Sequence, residues 1–168
     1  MRGWAVAEQG LPAEGIAQMR ESLGVHRAMH LQVVFTYFLA FFAETLARNR
    51  NTGEALGAVT EAFEVMRTTG QRMYEAELHR LKGELLLQVA DGNAAEAEAC
   101  FREALVIASH QQAKSLELRA AVSAARLWKR QGKKNEARDV LAPIYDWFTE
   151  GFDTADLRDA KELLDTLV

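Results

Sequence analysis

Apolar positions recur every three to four residues along nearly the whole chain, in runs separated at regular intervals by turn residues. Gly10-Leu11-Pro12, Gly24, Asn49-Arg50-Asn51, Gly70, Asp91-Gly92-Asn93, Gly132 and Gly151 are the punctuation. Glycine suits the position just past a helix end, where the chain turns left-handed. Pro12 suits a first helical turn, where its missing N–H has no partner to lose. Asn93, with Glu96 three residues on, predicts a capping pair, and Asp153 predicts a second cap. The pattern predicts nine helices, over about residues 1–9, 12–23, 28–48, 52–68, 72–90, 93–110, 113–131, 133–150 and 153–167. No sustained alternation of Val, Ile and Thr marks a strand. The fold class is therefore all-α, with connections short enough to make successive helices antiparallel neighbours.

The helices repeat in pairs. EGIAQMRESL from Glu14, EALGAVTEAF from Glu54, EAEACFREAL from Glu96 and EARDVLAPIY from Glu136 each open with Glu and a small residue. Those small residues, Gly15, Ala55, Ala97 and Ala137, are spaced 40, 42 and 40 apart. Upstream of each stands another small residue: Gly3, Ala43, Gly83 and Ala125. Two helices approach closely only where neither carries bulk at the crossing, so Gly3/Gly15, Ala43/Ala55, Gly83/Ala97 and Ala125/Ala137 are expected to meet. Larger residues follow to interlock around them: Leu46, Leu86 and Trp128 on the first helices, and Met19, Val59, Phe101 and Leu141 on the second.

This register resembles the tetratricopeptide pattern, best in Ala125-Arg-Leu-Trp128-Lys-Arg-Gln-Gly132 followed by Glu136-Ala137. The period of about 40 departs from the usual length of about 34 and also admits HEAT-like α-hairpin repeats. The resemblance implies a right-handed α-α superhelix with four hairpins, over about 1–24, 28–69, 72–112 and 113–150, and a capping helix over 153–167. On that last helix Leu157, Ala160, Leu164 and Leu167 form the apolar stripe. The first repeat lacks its opening turns, so a fragment of a larger chain, with a truncated N-terminus and a natural C-terminus, is expected.

Three phrases carry a closer resemblance: Tyr74-Glu-Ala-Glu-Leu-His-Arg-Leu-Lys-Gly-Glu-Leu-Leu-Leu87, Gln111-Gln-Ala-Lys-Ser-Leu-Glu-Leu-Arg-Ala120 and Trp147-Phe-Thr-Glu-Gly-Phe-Asp-Thr-Ala-Asp-Leu157. They look like the C-terminal repeat region of bacterial signalling proteins, which carry a class III nucleotide cyclase or DNA-binding domain and a predicted ATPase module. No catalytic or nucleotide-binding residue of that family falls in this stretch. The resemblance implies a non-catalytic protein-interaction or regulatory module; the alternative is a small-ligand sensor, as in maltose-regulator-type activators.

Composition narrows the chemistry. A net charge of −4, with both signs mixed along the chain, argues against nucleic acid as a partner. The most apolar run, Leu31 to Ala43, is too short to span a bilayer, and no signal segment opens the chain, which points to a cytoplasmic protein without a membrane partner. Cys100 is the single cysteine, beside Phe101 on a core-facing helix, and is expected to be an inert buried thiol. His26 and His30 stand four apart, a spacing able to present two imidazoles to zinc. No third ligand stands at a recognisable spacing, so neither metal nor cofactor is expected. His79 and His110 read as surface residues. The pairs Glu75/Glu77 and Glu96/Glu98 point apart on a helix and form no acid–base couple. Pro143 is expected to kink or break its helix near Ala142, wrapping Trp147 and Phe148 over the last hairpin.

Two surfaces remain. In the run from Phe35 to Ala43, taking Leu39, Phe42, Ala43 and Leu46 as the core stripe leaves Tyr37, Phe38 and Phe41 as a candidate apolar interface, buried by the first repeat or by a second copy of the chain. In tetratricopeptide solenoids the first helix of each hairpin lines the concave face. Carried over, that face would present Tyr37, Ala40, Glu44 and Arg48, then Glu77, Arg80, Glu84 and Gln88, then Arg119, Val122, Arg126, Lys129 and Arg130. The expected partner is a protein or peptide, including an acidic segment docked at Arg119, Arg126 and Arg130, or other domains of the parent chain.

Overall fold

The computed structural model describes residues 2–29 and 34–167. Among them are nine α-helices and no strand: α1 (Arg2–Glu8), α2 (Pro12–Ala28), α3 (Phe35–Arg48), α4 (Thr52–Thr69), α5 (Glu75–Val89), α6 (Ala94–His110), α7 (Lys114–Arg130), α8 (Lys134–Tyr145) and α9 (Ala155–Asp165). A single 3₁₀ turn, Asp91–Asn93, leads into α6. Alpha-helical class follows from the composition: Ala, Leu, Glu, Arg and Gln lose little side-chain freedom in a helix.

Each odd-numbered helix packs most extensively on the helix that follows it: α1 on α2, α3 on α4, α5 on α6 and α7 on α8. A second set of contacts joins the odd-numbered helices in a row, α1 to α3, α3 to α5, α5 to α7 and α7 to α9. The row is what positions the candidate site, because most side chains facing along it come from odd-numbered helices.

The small residues sit where helices touch. A Cβ placed on Gly15 would lie 2.5 Å from the Gly3 carbonyl oxygen, and one on Gly3 would lie 2.7 Å from that of Gly15. Ala43, Ala55, Ala97, Ala125 and Ala137 are fully buried. In the third pair the space beside Gly83 is filled by the ring of Phe101, 2.5 Å from where a Cβ would stand. The larger residues interlock as expected: Met19, Leu46, Val59, Phe101, Trp128 and Leu141 are buried, and Leu86 is half-buried. Each such side chain contributes roughly 1.5–3 kcal/mol by leaving water. One cluster centres on α3 and α4, reaching α2 and α5; the other joins α6 to α9.

Several expectations need correction. Gly24 does not end α2, which continues to Ala28; a glycine mid-helix costs only about 1 kcal/mol against Ala, which flanking good formers offset. Helix α3 begins at Phe35 rather than near residue 28. Asn93 makes no capping bond; its side-chain amide donates to the Leu86 carbonyl at 3.1 Å, tying the turn back to α5. Thr154, not Asp153, precedes α9. Helix α8 passes through Pro143 and ends two residues later, at Tyr145. Phe148 then folds back onto the α7–α9 cluster while Trp147 stays 58% exposed. On α9 the stripe buried against α7 and α8 uses Leu163 more fully than Leu164.

The two classes of glycine predict opposite outcomes. Gly15→Ala forces the α1–α2 crossing apart and lowers stability by about 1–3 kcal/mol. Gly24→Ala and Gly57→Ala, helical positions with open space around them, raise it by about 0.5–1 kcal/mol each. Urea denaturation of the three variants checks both signs.

Candidate functional site

The row of odd-numbered helices carries a chain of polar contacts, built around an arginine that is almost wholly out of water. Arg80 on α5 is 5% exposed, and Glu77, one helical turn before it, is 2% exposed. The Arg80 guanidinium donates a fork to Glu77, Nε at 2.9 Å and Nη2 at 2.7 Å, and a third bond to Glu84 at 2.6 Å. Glu44 of α3 stands 3.8 Å away. Burial alone would lower the Arg80 guanidinium; the carboxylates of Glu77, Glu84 and Glu44 outweigh it and hold the group above the ordinary arginine value. Burial likewise pushes the Glu84 carboxyl up, but Arg80 and the donated hydroxyl of Ser123 pull it below the usual carboxylate range.

From this centre the contacts run outward. Arg119 of α7 donates to Glu44 at 2.5 Å and lies 3.0 Å from Glu77, so one guanidinium joins α3, α5 and α7. Ser123 on α7 donates to Glu84 at 2.8 Å. Arg48 on α3 reaches Glu44 at 3.1 Å and Glu8 of α1 at 2.7 Å. Farther along α7, Arg126 pairs with Asp159 of α9, and Lys129 donates to Thr166 at 2.8 Å. The central cations and anions balance: Arg48, Arg80 and Arg119 face Glu44, Glu77 and Glu84.

Two recesses open along this row. The first, of about 220 Å³, is walled by Glu44, Arg48, Arg80, Glu84, Arg119 and Arg126 with the floor of Leu118 and Val122, and α9 closes it with Asp156 and Asp159. The second, of about 680 Å³, is wider and mixed: Leu87, Phe101 and Leu163 give it apolar wall, Arg126, Lys129 and Arg130 give it a cationic rim, and Gln88 adds a neutral amide. Glu84 is the single carboxylate in the second lining, and Arg80 already engages it.

Of the expected concave-face residues, Glu44, Arg48, Arg80, Arg119 and Val122 line the first recess; Gln88, Lys129 and Arg130 line the second, and Glu84 and Arg126 line both. Glu77 is buried beneath Arg80 and Arg119, and Ala40 is buried in the core. Tyr37 stands elsewhere, tilted against Phe41 with ring centroids 4.5 Å apart and edge-on to Tyr74 at 4.8 Å. Two of the three arginines expected to receive an acidic segment, Arg119 and Arg126, already hold carboxylates of this chain; Arg130 has no ion-pair partner among the described residues. Leu118, Ser123, Asp156 and Asp159 escaped the sequence reading. Ser123 falls on the stripe of Arg119 and Arg126, four and three residues away, and was legible there; the α9 aspartates read as a solvated face.

The apolar candidates Tyr37, Phe38 and Phe41 are half-buried, covered by Trp4 of α1, His26 of α2 and Tyr74. His30 lies outside the described residues, so the His26/His30 pair has no geometry; among the described residues no group of three metal-ligating side chains converges. His79 is less exposed than a surface residue, lying edge-on to Phe63 at 4.9 Å, and burial pushes its imidazole below the usual value. Cys100 is buried, and burial pushes its thiol up, away from the reactive thiolate. No helix among the described residues is long and apolar enough to cross a membrane.

No family model, no curated protein and no solved structure matches this chain.

Removing Arg80 strands buried carboxylates, so Arg80→Met is expected to cost about 3–5 kcal/mol by urea denaturation at neutral pH. The Glu84 carboxyl is held down in the folded chain, so the unfolded chain takes up its proton first. Its stabilising share is full above the ordinary value of 4.5 and is lost as pH falls below it. Glu84→Gln therefore shows a smaller loss of stability between pH 7 and pH 3.5 than the wild-type chain does.

Proposed function

We propose that the chain is a tetratricopeptide-like right-handed α-α superhelix of four hairpins and a closing helix, acting as a non-catalytic scaffold that holds a protein segment along the row of odd-numbered helices. The wider recess carries this reading. A strip of apolar wall beside Lys129 and Arg130 matches a peptide with one or two apolar anchors and flanking carboxylates, and not a compact polar metabolite. Among the described residues Arg130 has no ion-pair partner and Lys129 bonds only a hydroxyl, so these are the cations placed to receive the carboxylates. The narrower recess is self-neutralised and serves to hold the row together. Its Glu44, Glu84 and Asp159 carboxylates are engaged by arginines, and Glu84 is kept ionised, the wrong state for a general acid at neutral pH.

The repeat register, the small residues at the helix crossings and the row of odd-numbered contacts support the superhelix. The phrases around Tyr74, Gln111 and Trp147 support a place in a bacterial signalling protein, cytoplasmic, with a cyclase-like or DNA-binding output domain. In such a chain the scaffold would relay the presence of the bound segment to the output domain.

The test is selection of peptides from a displayed random library against the wild-type chain. Enriched peptides are expected to carry Asp or Glu beside apolar residues and to bind Lys129→Glu/Arg130→Glu at least tenfold more weakly. No enrichment, or binding indifferent to that double charge reversal, would overturn the proposal.

A further inference from the structure

A third recess, of about 260 Å³, opens where the turn between α8 and α9 passes the start of α7. Phe148, Leu118 and Leu157 give it an apolar wall, and Glu150 and Asp156 are its charged groups. It shares Leu118 and Asp156 with the narrower recess, which in turn shares Glu84, Ser123 and Arg126 with the wider one. The three are therefore one continuous groove along α7, bordered throughout by α9.

Uncompensated charge changes sign from one end of this groove to the other. At the wide end stand Lys129 and Arg130, neither in an ion pair among the described residues. In the middle, Glu44, Glu84 and Asp159 are matched by Arg119, Arg80 and Arg126. At the third recess Glu150 and Asp156 are exposed and have no cationic partner among the described residues. Asp156, in the first turn of α9, also has a local role, opposing the positive end of that helix. Glu150 lies outside any helix and has no such role. An apolar wall beside unpaired carboxylates suits a lysine or arginine side chain, whose methylene stem packs on apolar surface while its charged head stays wet. Opposite charges at the two ends reject a ligand that presents like charge to either.

Resting on the peptide reading above, we infer that the segment held along the row is bipolar. Its basic end sits against Phe148, Glu150 and Asp156, its acidic end against Lys129 and Arg130, and a neutral stretch crosses the self-paired recess between them. The spacing follows from α7. From Ser115 in the third recess to Arg130 in the widest the helix rises about 22 Å, at 1.5 Å per residue. An extended chain covers that distance in about six to seven residues.

Fluorescence anisotropy at low salt, with labelled synthetic peptides, tests the assignment. The bipolar probes are Lys-Lys-Ala-Leu-Ala-Leu-Ala-Glu-Glu and its reverse; the acid-only probes carry Gln in place of Lys. At least one bipolar probe is expected to bind the wild-type chain about fivefold more tightly than its acid-only counterpart. Glu150→Lys, at an exposed turn position, is expected to abolish that difference. Glu21→Lys, an equal change of net charge on α2 outside the groove, is expected to preserve it. Lys129→Glu/Arg130→Glu weakens both kinds of probe. Acid-only probes that bind through Lys129 and Arg130 as tightly as bipolar ones would overturn the bipolar assignment and leave the peptide reading standing. So would a difference that Glu150→Lys leaves intact or that Glu21→Lys removes as fully. No saturable binding of any probe, or binding indifferent to Lys129→Glu/Arg130→Glu, would overturn both.

Discussion

A guanidinium taken out of water must be surrounded by charge or it will not stay folded, and Arg80 is that guanidinium. The cost of desolvating it is met by three carboxylates from two helices, and those carboxylates in turn require Arg119 and Arg48. The result is a continuous polar chain from Glu8 on α1, through α3 and α5, to Ser123 on α7, with Arg126 extending the attachment to α9. Apolar packing would hold each pair of helices together in many relative placements. The charged chain favours the placement in which the five odd-numbered helices form one row.

The two kinds of contact divide the labour. Within a pair, small residues at the crossing let the backbones approach, and the bulky residues around them exclude water; this is short-range, non-directional and tolerant of chemistry so long as volume is kept. Between pairs, arginines cross from helix to helix: Arg48 to Glu8, Arg119 to both Glu44 and Glu77, and Arg126 to Asp159. The outer face repeats the device at lower stakes. Arg20 forks onto Glu54 and Arg27 onto Glu61, binding α2 to α4, but these pairs are solvent-exposed and contribute at most about 1 kcal/mol each.

Much of this was legible in the sequence, and the gaps have physical reasons. The Gly3/Gly15 crossing could be read because close approach demands small side chains whatever else surrounds them, and the small residues Ala43, Ala55, Ala97, Ala125 and Ala137 are likewise fully buried; at Gly83 the space is taken by Phe101 instead. The stripe on the odd-numbered helices was legible from helical spacing alone. What spacing could not show is which charges consume one another: Glu44 and Arg119 lie 75 residues apart, and nothing local marks them as partners. Arg119 and Arg126 therefore read as open cations. Gly24 was misread because glycine is both a helix stop and a tolerated interior residue, and only the surrounding packing decides. Leu163 is buried more fully than Leu164 because the side of α9 that meets α7 and α8, absent from any local pattern, chooses between neighbouring stripes.

The central claim is that the row of odd-numbered helices is held by coupled charges rather than by apolar contact alone. A double-mutant cycle on Glu44 and Arg119, using Glu44→Gln, Arg119→Met and the pair together in urea denaturation, tests it most directly. A coupling energy of about 1–3 kcal/mol is the predicted result, since the two residues meet across α3 and α7 at a half-buried site. Additive single effects, with coupling near zero, would contradict the account and leave the arrangement of the row to apolar packing.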